Sequence, residues 1–407
     1  MSDLVTRAQV ILLARTLHVP AERLAHLEKL GAAGLHELQQ RMARVIFARH
    51  NATFSRLSML VPVVPLSISL PLVQRLVPPV MAGRAAGAIG VDHPKKAAEA
   101  VGMLDPAYAA DGAPYMDPHT VGQLADVAPA EPVVRIVNEI LRRKDYVTAG
   151  PFLAYATPTL IEAVEKGVHD DEGLIRSAAY SYSGESISVI VRHLLGGAEQ
   201  RIPRLVRTIL DGDKELRLAA LSVFARTDAD VIEGIGDILF EQATPEEIAD
   251  LVATFLADEA SAETLRFLAH LSPSALERLA ANPIVQDRGA VTTLVAALDG
   301  CDDLQQWRGL FRLAEHVAPE VARRAGTQLG GFDTATLTGL PSLVAETEQW
   351  PALLSLLAAA EADAQSRVGE TWSTLDATRR TEVDQRIREL GYTESLSALT
   401  ATLHLVH

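Results

Sequence analysis

The residues best suited to chemistry stand in a row at His169-Asp170-Asp171-Glu172. Hard divalent cations take carboxylate oxygens, so the run is a candidate metal site. Consecutive side chains point in different directions, and an acid-rich helix start carries the same letters. An N-cap cluster for a helix opening near Leu174 is therefore the competing reading. Glu315-His316 with Glu320 has helical spacing but no third fixed ligand beside it, where zinc needs at least three from the protein. Tyr180-Ser181-Tyr182-Ser183-Gly184-Glu185-Ser186 is the most polar and aromatic stretch. It lacks Gly-x-Ser-x-Gly, so no nucleophilic serine is set up, but its phenols and hydroxyls suit a binding loop. Tyr146, Phe152 and Tyr155 join Tyr180 and Tyr182 in concentrating aromatic rings near mid-chain. They would line a pocket or fill a core between helices. Arg41, Arg44 and Arg49, with His50 and Arg56, form a basic cluster. It suits an acidic partner, anionic lipid or the chain's own acidic remainder.

The elements that must position these residues are helices. Aromatic content is 5% of 407 residues and alanine, leucine and valine dominate, which favours helix over sheet. Pro94, Pro106, Pro118 and Pro129 follow one another at 12, 12 and 11 residues, with Asp92, Asp105 and Asp117 just ahead of three of them. An acid before a proline starts a helix: the carboxylate takes free N–H groups, and proline lacks only a donor that has no partner there. Twelve residues hold about two helical turns and a tight turn. Helices that short must stack on neighbours to bury their apolar stripes. Downstream, starts recur at Thr227-Asp228, Thr244-Pro245, Ser272-Pro273, Pro319-Glu320, Asp333-Thr334 and Asp376-Ala377. Ser186 to Val191 alternates like a short strand, yet its neighbours favour helix. Small residues at Gly83, Gly87 and Gly90 permit close helix contact, and no Gly-Lys-Ser/Thr follows to make a phosphate loop.

The formal net charge is −15, which argues against nucleic acid as a partner. Residues 1–80 hold nine Lys/Arg and four Asp/Glu, so the acid lies beyond them. The single cysteine, Cys301, allows neither an internal disulfide nor a thiolate metal cluster. No basic and apolar leader opens the chain, which reads as cytoplasmic. Leu57 to Gln74 carries no charge, but Pro62, Pro65 and Pro71 oppose a membrane-spanning helix. The reading preferred here is an extended segment in a buried groove, with a helix from about Leu70. Surface attachment to a membrane through residues 57–82 is the less favoured alternative.

The section from Leu70 to Glu172 resembles the cytosolic N-terminal domain of MgtE-type magnesium transporters, a superhelix of short helices. The residues that carry the resemblance are Val77-Pro78-Pro79, Val91-Asp92-His93-Pro94, Met103-Leu104-Asp105-Pro106 and Tyr115-Met116-Asp117-Pro118, with the pairs Ala97-Ala98 and Ala109-Ala110. The whole chain is more similar to actinobacterial proteins that carry this repeat without a transporter, through Arg143-Lys144-Asp145-Tyr146-Val147-Thr148-Ala149-Gly150-Pro151-Phe152. The resemblance implies a helical superhelix. It does not imply magnesium conduction, because no proline-free apolar run of spanning length follows residue 75.

The expectation is an all-α protein, an α-solenoid of short antiparallel helices that passes from an MgtE-like section to HEAT-like helix pairs. Residues 1–56 would be a helical bundle, 57–173 the short-helix section and 174–407 the longer-helix section. The function expected is non-catalytic: binding or scaffolding a protein partner, with no cofactor. Binding of a small molecule or divalent cation, membrane attachment, and an enzyme of unrecognised type are the alternatives.

Overall fold

Where an acid precedes a proline, a helix begins. The computed structural model describes residues 4–58, 64–197 and 200–404, with the side chains of 50–53, 55–58, 88 and 347 left out. Asp105 and Asp117 accept the backbone N–H groups of Tyr108 and Thr120, each at 3.0 Å. Thr244 and Glu247 form a reciprocal capping box. Such caps contribute about 1 kcal/mol each. The described residues are helices, turns and coil without a strand, so the protein is all-α. Ser186 to Val191 belongs to a helix, Gly184–Gly196.

The chain divides into two units, Met1–Val231 and Ile232–His407. The division falls at neither residue 56 nor residue 173. The first unit contains α1 (Leu4–Leu17), α2 (Gly31–Ser58), α3 (Leu66–Leu76), α4 (Pro79–Asp92), α5 (Pro94–Met103), α6 (Pro106–Gly112) and α7 (Pro118–Gly122). It continues with α8 (Ala130–Arg142), α9 (Tyr146–Ala149), α10 (Pro158–Gly167), α11 (Asp171–Ala178), α12 (Gly184–Gly196), α13 (Arg201–Asp211) and α14 (Lys214–Phe224). Helices pack on the next but one: α4 on α6, α6 on α8, α8 on α10 and α10 on α12. The first helix packs chiefly on α2 and also reaches far along the sequence. Arg15 pairs with Asp145 at 2.6 Å, and α1 touches α9 and α14.

The division falls within α15 (Ala229–Gln242). Beyond it lie α16 (Pro245–Ala257), α17 (Ser261–Leu268), α18 (Pro273–Ala280), α19 (Pro283–Gln286), α20 (Arg288–Ala296) and α21 (Leu304–Ala314). The last six are α22 (Pro319–Leu329), α23 (Thr334–Thr347), α24 (Trp350–Ala359), α25 (Ala362–Ser373), α26 (Ala377–Glu389) and α27 (Ser397–Leu403). Here α20 packs on α22, α22 on α24, α23 on α25 and α25 on α27. Trp307, Phe311 and Trp372 are buried, and the Trp372 indole donates to Leu337 O at 2.8 Å.

Polar links between neighbouring helices recur at a nearly constant sequence distance. Arg192 reaches Asp228 and Arg176 reaches Asp213, 36 and 37 residues on. In the second unit Arg266 reaches Asp303 and Arg323 reaches Glu361, 37 and 38 residues on. The three proline steps of 12, 12 and 11 residues add up to 35, close to that span. Helices also cross backbone to backbone. A Cβ added at Gly83 of α4 would run into Gly112 O of α6. One at Gly309 of α21 would meet Leu265 O of α17, and one at Gly326 of α22 would meet Leu356 O of α24. Each approach would be under 3.0 Å, closer than real Cβ atoms come.

One expectation needs correction. The uncharged stretch 57–74 is not an extended segment in a buried groove where it is described; its residues 59–63 lie outside the described residues. Helix α3 begins at Leu66 and runs through Pro71, with Ile68 61%, Leu72 52% and Leu76 73% exposed. Pro65 takes the N-cap with extended dihedrals, so a residue that reads as a breaker stands at a start. Pro71 frees one carbonyl at a solvent-facing position, where water can satisfy it. Helix α2 spans Gly31–Ser58, and its Met42 and Val45 are exposed. No helix among the described residues is long and apolar enough to cross a membrane.

Candidate binding surfaces in the first unit

Three of the aromatic residues singled out in the sequence meet in one cleft. Helix α2 presents His36, Gln39, Gln40 and Arg44, and α7 contributes His119. The segment Gly150–Tyr155 adds Tyr155, and the turn ahead of α12 adds Tyr180, Tyr182 and Ser183. The space between them is about 410 Å³. Tyr182 stacks on His36, ring centres 4.0 Å apart. Tyr155 meets His119 edge to face, its hydroxyl 3.4 Å from Nδ1. Burial pushes the phenols of Tyr155 and Tyr180 above their ordinary pKa, so both stay protonated at neutral pH. The cleft offers flat rings and hydrogen-bonding groups. Neither histidine carried a signal in the sequence, since the ring each one meets comes from a distant element.

Burial also lowers the pKa of His36 below 6.5, because desolvation disfavours the charged ring. Its neutral form is therefore the one that favours folding. That contribution is present above the unfolded value of about 6.5 and is lost as pH falls from there through the folded value. In NMR titration the His36 Cε1–H midpoint should lie below 6.5. Tyr182→Ala, which uncovers one ring face, should move it back upward. A midpoint at or above 6.5 in the unaltered protein would rule out the burial described here.

The other aromatic candidates lie elsewhere. Tyr146 packs beside Val134, Leu141 and Val168. Phe152, with Tyr155, walls an apolar hollow of about 270 Å³ lined mainly by alanine, valine and leucine from α5 to α11. A further cavity of about 130 Å³ shares Leu153, Ala156, Leu160, Val164 and Leu174 with it.

The acidic run is engaged by its own fold. Asp170 caps α11, accepting from Gly173 N at 2.8 Å. Asp171 pairs with Arg201 at 2.5 Å and Arg204 at 3.0 Å. Glu172 pairs with Arg176 at 2.8 Å, and His169 is exposed. Glu320 pairs with Arg323 at 2.7 Å. Among the described residues no three His, Cys, Asp or Glu side chains converge as a metal would require.

The basic cluster sits on a surface of unusual composition. Arg41, Arg44 and Arg49 are exposed on α2 beside Met42 and Val45. Arg41 pairs with Glu37; the side chains of His50 and Arg56 lie outside the described residues. From Leu38 to Val91 the sequence contains no acidic residue at all. Within that span Val64, Ile68, Leu72 and Leu76 recur every four residues and are all exposed, so the last three form one stripe along α3. Exposed apolar groups gathered in this way mark an interaction surface. No family model and no curated protein matches the chain, so these surfaces are read from their own chemistry.

Proposed function

We propose that this chain is a non-catalytic helical-repeat protein of the cytoplasm that holds a protein partner on the exposed residues of α2 and α3. The observation that carries the reading is the apolar stripe Ile68, Leu72 and Leu76 inside a stretch free of acid. An apolar stripe on one helix is covered best by the stripe of another. Arg75, on α3 itself, and the absence of acid from Leu38 to Val91 favour a partner helix with acidic flanks. The tyrosine, histidine and arginine lining of the cleft supports the same reading, since these side chains combine contact area with directed hydrogen bonds. The resemblance of residues 70–172 to the N-terminal domain of MgtE-type transporters supports the repeat, and brings no transport activity with it.

The test uses the double variant Leu72→Asp with Leu76→Asp. Both positions are exposed, so stability should change by no more than about 0.5 kcal/mol each. A partner identified by affinity capture is reduced to a synthetic peptide of its acidic amphipathic segment, and binding is measured by calorimetry. The double variant should weaken binding at least about tenfold, and added salt should weaken binding to the unaltered protein. Unchanged affinity in the double variant would overturn the proposal. So would flotation of the unaltered protein with anionic vesicles that the variant loses, or a dimer that the variant makes monomeric.

A further inference from the structure

We propose that the cleft between α2, α7, the segment Gly150–Tyr155 and the turn ahead of α12 binds a small aromatic acid, one or two flat rings bearing a single carboxylate. Tyr155, Tyr180 and Tyr182 line the space with His36 and His119, and Leu12, Pro118, Pro151 and Ala154 complete its apolar walls. The three tyrosines and His36 are half-buried and His119 is exposed, so all five rings remain within reach of a ligand. Flat ligands gain from stacking and edge contacts with such walls. A space of about 410 Å³ lies at the lower end of small-molecule pockets, which suits one or two rings rather than a larger molecule.

The charge of the cleft comes from one residue. No Asp or Glu lines it, and Arg44 is the sole permanent cation of its lining. Arg44 donates to Gln40 O at a long 3.4 Å, and among the described residues no carboxylate pairs with it. The sequence explains why: three and four residues away on α2 stand Gln40, Arg41, Phe47 and Ala48, none of them acidic. Arg41, by contrast, has Glu37 as its partner. An exposed guanidinium left in this way can hold a carboxylate through two parallel bonds, and one guanidinium matches one negative charge. The hydroxyls of Tyr180 and Tyr182, which bond to no other described residue, are further donors. A neutral ring forfeits the arginine, an aromatic cation meets it as a like charge, and the second charge of a phosphate finds no second permanent cation. Ile68, Leu72 and Leu76 do not line the cleft, so the site stands whether or not that stripe holds a partner.

The probes are 2-naphthoate, its neutral counterpart 2-naphthalenemethanol, and decahydro-2-naphthoate, which keeps the charge and loses the flat rings. Each is titrated into the full chain by isothermal calorimetry. 2-Naphthoate should saturate at one per chain and bind at least about tenfold more tightly than either of the others. Arg44→Gln should remove most of the preference for the acid over the alcohol. Arg44→Lys, a point charge without the fork, should recover only part of it. Arg23→Gln makes the same charge change at an exposed position outside the cleft and should leave 2-naphthoate affinity unchanged. Tyr182→Leu should weaken 2-naphthoate about threefold or more. If that variant does not fold, the unaltered protein decides: 2-naphthoate must shift the His36 and His119 Cε1–H resonances. No binding of 2-naphthoate, equal affinities for acid and alcohol, an Arg44→Gln loss no larger than that of Arg23→Gln, or unchanged affinity in folded Tyr182→Leu would each overturn the proposal. So would two unmoved histidine signals, or tighter binding of a peptide ending in tryptophan than of 2-naphthoate, which would assign the cleft to a polypeptide.

Discussion

Replacing Gly309 with alanine is expected to destabilise the second unit by about 2–4 kcal/mol. Inside a helix the same exchange ordinarily stabilises by about 1 kcal/mol. The sign reverses here because the new methyl would press on Leu265 O, a backbone atom that cannot turn aside. Overpacking of this kind costs about 1–3 kcal/mol where side chains can adjust, and more where they cannot. Gly339, in α23 of the same unit, has nothing within 4 Å of an added Cβ. Gly339→Ala should therefore stabilise by about 0.5–1 kcal/mol. The chain supplies its own reporter, because its three tryptophans, Trp307, Trp350 and Trp372, all belong to the second unit. Urea unfolding followed by tryptophan emission should show midpoints moving in opposite directions for the two variants. A Gly309→Ala midpoint equal to or above that of the unaltered protein would refute the backbone crossing.

Arg201→Met is the matching experiment in the first unit, with an expected loss of about 3–5 kcal/mol. The guanidinium is 1% exposed and ties α13 to the end of α10 and the start of α11. Methionine keeps much of the volume but strands two carbonyls and half of a buried carboxylate pairing. Asp171 retains only Arg204. The control is Arg204→Met: that side chain is 49% exposed and its pairing is screened, so the loss should stay below about 1 kcal/mol. Far-ultraviolet circular dichroism should show the first unit melting earlier in Arg201→Met, while the tryptophan transition stays in place. Equal losses in the two arginine variants would remove the distinction between the buried pair and the exposed one.

Much of the architecture was legible because helix starts are local. Asp105, Asp117 and Thr244 cap groups within three residues of themselves, so the letters and the bonds coincide. Gly83, Gly87 and Gly90 suggested close contact, and an added Cβ at each would be crowded by a neighbour. What depended on distant partners was not legible. His169 to Glu172 offered a cation site because Arg201 and Arg204, which occupy Asp171, stand some thirty residues away on another helix. The gathering of His36, His119, Tyr155 and Tyr182 has the same cause, since four separate elements supply it. Helix α3 misled for a different reason. Composition says that apolar residues seek cover, but not whether the chain itself provides it; at Ile68, Leu72 and Leu76 it does not.

The contacts of α1 set a timetable for biogenesis. Val10 and Leu13 close on Leu24, Leu27, Leu35 and Leu38, which are synthesised directly after them. Asp145, which receives Arg15, follows 130 residues later, and α14 later still. Nascent chains halted before residue 145 will therefore hold α1 on α2 while its side toward α9 and α14 stays open.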